Sequence, residues 1–146
     1  QAGLAAAQAH ADRLLPHEGL LLQEYLPSVQ EVGELSLIFI DGALSHAVRK
    51  IPVPGDYRVQ DDFGARDFPV EITADEEALG AHILDLATPG DEPLLYGRVD
   101  FMTSATGALL LGELELVEPS LFLRHAPDAA DRLATALLAR LTRLSA

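Results

Sequence analysis

The chain has no cysteine, no tryptophan and a single lysine, Lys50, among its 146 residues. Without cysteine there is no disulfide, no thiolate zinc site and no cysteine nucleophile, and the composition fits a reducing cytoplasm, the expected location. Basic residues are scarce: ten Lys and Arg against 23 Asp and Glu leave a formal net charge of -13. That balance argues against a nucleic-acid partner, because phosphate neutralisation needs clustered basic side chains. Long apolar runs are missing too. Although 49% of the residues are hydrophobic, no stretch approaches the roughly 20 needed to span a bilayer, and no targeting peptide is visible. The five histidines are dispersed without H-E-x-x-H spacing, and neither G-x-S-x-G nor G-x-G-x-x-G occurs. This removes the usual signals for zinc hydrolases, acyl-serine enzymes and dinucleotide enzymes.

What is present suffices for one domain with a real core. Residues 1–15 have helical periodicity through Leu4, Gln8, Ala11 and Leu14, with Pro16 and Gly19 as stop signals. Residues 20–26 read as a short strand. Two further strands, 34–41 and 43–51, flank Asp41-Gly42, a strong hairpin signal that pairs Glu34 with Arg49 if the turn has two residues. Residues 52–69, with three prolines and two glycines between mixed charges, read as a long loop. Thr73 and Glu76 form a capping-box pattern opening a helix to about Leu86. Strands 94–103 and 109–117 form a second hairpin around 104–107. Pro127 opens a final helix whose stripe Leu133, Leu137, Leu138, Leu141 and Leu144 is expected to pack on the hairpins. The fold class is α+β, a mostly antiparallel sheet with flanking helices.

The second hairpin carries the chemistry. Residues two apart in a strand share a face, so Arg98 and Asp100 point one way, as do Glu113 and Glu115 on the next strand. An even-numbered loop puts all four on one face, and a bulge alters that inference. Three converging carboxylates in an apolar hairpin repel one another unless cations lie between them. Oxygen-only donors suit magnesium. The spacing equally allows a plain structural pattern in which Arg98 pairs with Glu113 or Glu115 and Asp100 faces solvent.

This hairpin resembles the ATP-grasp superfamily, in its prokaryotic glutathione synthetase-like branch. That pattern has an Asp on one strand, then Glu-x-Asn-x-x-Ser-Pro, matched by Asp100, Glu113 and Pro119, with Glu115 in place of Asn and Glu118 in place of Ser. Upstream, Lys50-Ile51-Pro52-Val53-Pro54-Gly55-Asp56-Tyr57-Arg58-Val59-Gln60 is similar to the family's Arg-Ile-Pro-x-x-Gly-Glu-x-Arg-x-Asn loop. Gln23-Glu24-Tyr25-Leu26 resembles the segment that hydrogen-bonds adenine, and Gly33-Glu34 the pair that reaches the ribose.

The resemblance implies an ATP-dependent carboxylate:amine ligase using an acyl phosphate. Asp100, Glu113 and Glu115 would hold two magnesium ions, Arg58 would meet the transferred phosphoryl group, and Lys50 and Gln60 would shape its loop. Glu24, Tyr25, Leu26 and Glu34 would bind the nucleotide. Residues 1–146 would be the C-terminal metal-binding region of a longer enzyme, the chain starting at Gln1 and lacking the glycine-rich loop and phosphate-binding lysines of an N-terminal ATP-grasp region. Alone, the chain is expected to fold without ligase activity. The expected partners are a small carboxylate and an amine, with no nucleic acid or membrane and with room for a homo-oligomer. A reading from another class is a non-catalytic nucleotide-binding or oligomerising module of the same fold.

Overall fold

A computed structural model describes residues 2–145. The helix α1 (Ala2–Leu14) and a short α2 (Ser28–Glu31) precede β1 (Glu34–Ile40), β2 (Ala43–Ile51), β3 (Arg66–Pro69), α3 (Ala74–Ala87), β4 (Tyr96–Thr103), β5 (Leu109–Glu115) and α4 (Pro127–Leu144). The five strands form one sheet in the order β3-β2-β1-β4-β5, and every neighbouring pair is antiparallel. The predicted class therefore holds. Central β1, whose sequence Glu-Leu-Ser-Leu-Ile-Phe-Ile is almost continuously apolar, is buried along its whole length, as a strand covered on both faces must be.

One face of the sheet carries the main core: Leu35, Leu37 and Phe39 of β1, Ala47 of β2, and Val99 and Phe101 of β4, closed by Leu84 of α3. Gly80 lets α3 come this close, since a Cβ there would stand 2.8 Å from Leu37 Cδ2. The helix starts where its capping box directs. Thr73 Oγ1 accepts from the Glu76 amide at 3.2 Å and Glu76 Oε2 accepts from the Thr73 amide at 2.7 Å, satisfying two donors that a bare helix end would strand.

The opposite face holds a smaller cluster, Ile38, Val48 and Phe122, and then the charged residues. Residues 120–125 cross it and are tied down by His46 Nε2 donating to the Leu121 carbonyl at 2.9 Å and by Arg124 and His125, which both reach Asp67 on β3. Burial holds the His46 pKa below its ordinary value despite the backbone contacts.

Three expectations fail. Residues 20–26 form no strand, and Leu22 is 95% exposed; the run is apolar but has no neighbouring edge to bond. The stretch 52–69 is not all loop, because it contains a 3-10 turn (Asp61–Phe63) and β3, which pairs Arg66–Pro69 with the end of β2. Pro69, at the end of an edge strand, is compatible with that pairing. The leucine stripe of α4 does not fill the core, since the helix buries Ala129 and Ala136 instead and leaves Leu137, Leu138, Leu141 and Leu144 exposed.

Candidate active site

Two one-residue register shifts assemble the charged face. In the β4–β5 hairpin five residues separate Thr103 from Leu109, an odd count that would set Gly112 opposite Asp100 and turn Glu113 and Glu115 to the core side. A bulge between Asp100 and Phe101 absorbs Gly112 and restores the pairs Asp100 with Glu113 and Arg98 with Glu115. In the β1–β2 hairpin the turn is the tight Asp41-Gly42, with φ of 52° and 76°, as the mirror-image hairpin turns require. Here a bulge at Ser45 moves Glu34 from Arg49 to Lys50. The expected Glu34–Arg49 pairing is thus replaced, and Arg49 donates instead to the Val32 carbonyl at 3.3 Å.

Asp100 is the hub. It is fully buried, receives Lys50 Nζ on Oδ2 at 2.8 Å, and takes Arg98 Nε on Oδ1 and Arg98 Nη2 on Oδ2, each at 2.9 Å. Burial opposes its charge, but hydrogen bonding by Arg98 and the charges of Lys50 and Arg98 outweigh it and hold its pKa below the usual aspartate value. Lys50 also makes an ion pair with buried Glu34, without the alignment of a hydrogen bond. Burial dominates at Glu34 and pushes its pKa up to about 7, against the lowering effect of Lys50. On the other side Arg98 pairs with Glu115, lies 3.7 Å from Glu113 Oε2 and donates to the Ser120 carbonyl at 3.2 Å. The pKa of Glu115 is raised by burial and by neighbouring Glu113 and Asp100 in spite of Arg98.

One carboxylate oxygen from each of Asp100, Glu113 and Glu115 lies within 4.8 Å of the other two, so the predicted metal triad is brought together. Of the two readings that spacing left open, neither holds alone. Arg98 does pair with Glu115, yet Asp100 is buried among cations rather than facing solvent. The sequence reading assigned Arg98 no site role, although it sits at the centre of the web; the signal was the Arg98-x-Asp100 alternation itself.

The remaining predicted residues meet in a cleft of about 350 Å³, whose lining includes Glu24, Tyr25, Leu26, Glu34, Arg58 and Gln60, with Glu113 at its β5 wall. Tyr25 and Tyr57 meet edge to face there, ring centroids 6.2 Å apart. Arg58 is solvent-facing, held by Asp56 at 2.6 Å and stacked 3.8 Å over Phe63. Its hydrogen bonds keep the Asp56 pKa far below the usual range. Behind Val59 and Gln60 lies a smaller cavity of about 200 Å³ reached by Lys50 and Arg98. Two larger hollows, of about 570 and 590 Å³, lie beside α3 and α4 and contain none of these groups.

No family model matches the chain. It is 38% identical over 146 aligned positions to the cycloserine biosynthesis protein DcsG of Streptomyces lavendulae, covering 92% of this chain and 47% of that protein. The crystal structure of the D-cycloserine synthetase DcsG superposes with a TM-score of 0.78 at 36% identity, over 94% of this chain and 48% of that one. The chain belongs to the ATP-grasp superfamily of ligases. A D-alanine–D-alanine ligase from Bacillus anthracis, complexed with ATP, shares the fold at a TM-score of 0.60 and 13% identity, over 96% of this chain and 47% of that one. The glutathione synthetase of Agrobacterium fabrum (strain C58 / ATCC 33970) is 34% identical over 62 positions, 42% of this chain and 19% of that protein. This ATP-grasp chain thus spans about half the length of the DcsG sequence it matches. Among the described residues no helix is long and apolar enough to cross a membrane.

Proposed function

We propose that this chain is the C-terminal catalytic part of an ATP- and magnesium-dependent carboxylate:amine ligase that works through an acyl phosphate. The observation that carries the reading is the convergence of Asp100, Glu113 and Glu115 beside the cleft that holds Arg58 and the 24–26 backbone. The triad fits a hard cation: all donors are oxygens, four carboxylates face two cations across the web, and the side chains of Glu113 and Glu115 are 55% and 34% exposed and so reachable. Magnesium bound there would screen phosphate oxygens and orient the nucleotide.

The chain's own residues do the rest by position and charge. Lys50 and Arg98 fix the Asp100 carboxylate in its ionised form. Arg58, a planar cation on the cleft wall, can hold two phosphoryl oxygens at once when the substrate carboxylate attacks the γ-phosphate and displaces ADP to give the acyl phosphate. The amine then displaces phosphate from the acyl phosphate, releasing inorganic phosphate and the amide. The 24–26 backbone would offer its amides and carbonyls to the base, and Glu34, at the edge of the same cleft, would make the ribose contact. DcsG, described as a D-cycloserine synthetase, supports a ligase of small substrates.

In the chain joined to an N-terminal ATP-grasp region, Glu113→Gln is expected to lower kcat by about a hundredfold with the melting temperature unchanged, a loss of the size seen when one preorganised electrostatic contact is removed. Unchanged turnover removes Glu113 from the mechanism. One observation favours a second reading, a non-catalytic module: both Asp100 oxygens already accept from Lys50 and Arg98. Calorimetry of Mg-ATP separates the two, because a catalytic half binds the complex tightly only with the N-terminal region present.

A further inference from the structure

The exposed face of α4 is patterned beyond what its own fold uses. The buried side of the helix is carried by Ala129 and Ala136, with Leu133 and Arg140 partly covered. On the solvent side Ala130, Ala134, Leu137, Leu141 and Leu144 follow one another at intervals of four, three, four and three residues. That is the spacing of a seam between two helices. All five are exposed, with Leu137, Leu141 and Leu144 at 43%, 49% and 85%. An exposed row of leucines at seam spacing calls for a covering surface.

We propose that α4 is a self-association surface on which the same helix of a second copy of this chain lies antiparallel. The seam is complementary to its own reversal, which fits a second copy of the same helix. Turned end for end, Ala134 meets Leu137 of the second copy, Ala130 meets its Leu141 and Leu144 meets its Pro127, so each leucine of the seam faces a smaller residue. A parallel arrangement would stack alanine on alanine and leave gaps at one end. Opposed helix dipoles favour the same antiparallel orientation. The arginines of the second half, Arg140 and Arg143, are already paired with Asp41 and Glu92 of their own chain and add nothing to it. A helix of 18 residues is only about 27 Å long. The contact therefore falls below the roughly 1,200 Å² of a standard interface, and the dimer is weak, with a Kd of about 10–100 μM.

The test is sedimentation velocity on the chain from about 1 μM to about 500 μM, a range that brackets that Kd. The expected result is a concentration-dependent shift from monomer to dimer that Leu137→Glu weakens about tenfold or more. Because Leu137 is exposed, the circular dichroism spectrum should not change. Since the chain has no cysteine, single-cysteine variants report orientation. A mixture of Ala134→Cys and Leu137→Cys should cross-link under oxidation far faster than either alone. A wild-type chain that stays monomeric throughout, as it would if the stripe serves a different partner, overturns the proposal. So does a dimer untouched by Leu137→Glu, or preferential linking of Ala134→Cys to itself.

Discussion

The two hairpins of the sheet solve the same problem from different starting points. β1–β2 has a tight two-residue turn and β4–β5 a five-residue loop, yet each contains one bulge, and each bulge changes which charged residue faces its neighbour. At Ser45 the shift exchanges Arg49 for Lys50 opposite Glu34. At Gly112 it turns Glu113 and Glu115 toward Asp100. The charges they deliver differ in surroundings, those on the inner strands β1, β2 and β4 being covered and those on the edge strand β5 open. Glu34, Lys50 and Asp100 are buried, whereas Glu113 and Glu115 reach solvent. A buried web is rigid and costly to break, while an open rim can exchange partners with a metal or a phosphate. The same sheet device thus supplies a fixed anchor at one end and an adjustable ligand set at the other.

Breaking the anchor should have the largest effect. Asp100→Ala leaves Lys50 and Arg98 buried without their shared acceptor and is expected to cost about 3 kcal/mol in urea unfolding. Glu113→Ala, on the exposed rim, should change stability by less than about 0.5 kcal/mol. Equal costs would mean that the two ends do not differ.

The pH dependence of the anchor comes next. Glu34 titrates near 7 when folded and near 4.5 when unfolded, so the folded chain binds the extra proton between those values. Its contribution is fully present below about pH 4.5 and is lost as pH rises to about 7, up to about 3 kcal/mol. Asp100 works in the opposite sense, because its lowered pKa gives stability that is lost only in acid. Urea midpoints from pH 4.5 to 8 should therefore fall in the wild type and flatten in Glu34→Gln. A wild-type profile that rises through this window would mean that Lys50 outweighs burial at Glu34, contradicting the raised pKa.

The smallest effect sharpens the register claim. Arg49→Ala should cost less than about 1 kcal/mol, and Lys50→Ala more than twice as much, since only Lys50 compensates two buried carboxylates. A regular hairpin would reverse that order.

Much of this was legible in the residues. Asp41-Gly42, the Thr73–Glu76 box and Pro127 mark element ends through local backbone chemistry, so those elements were foreseeable. The site residues were legible as a set because their order along the chain resembles the ATP-grasp pattern. Register was not, because a bulge is chosen by tertiary fit: nothing local at Ser45 announces the extra residue, and at Gly112 only a glycine inside an apolar strand hints at one. Burial failed for a related reason. Leu137 and Ala136 are adjacent on one helix, and periodicity names an apolar stripe without saying which stripe meets the sheet.

The bulge at Gly112 delivers Glu113 and Glu115 to the face of Asp100, and everything at the site depends on it. Manganese titration of the isolated chain, followed by paramagnetic broadening of backbone amide signals, tests it against a variant with one alanine inserted between Gly112 and Glu113. The wild type should show broadening centred on Asp100, Glu113 and Glu115 at millimolar metal. The insertion, which turns both glutamates to the other face, should abolish it while the β1–β2 signals stay native. Equal broadening in both chains, or none in the wild type, would contradict a metal site built by the bulge.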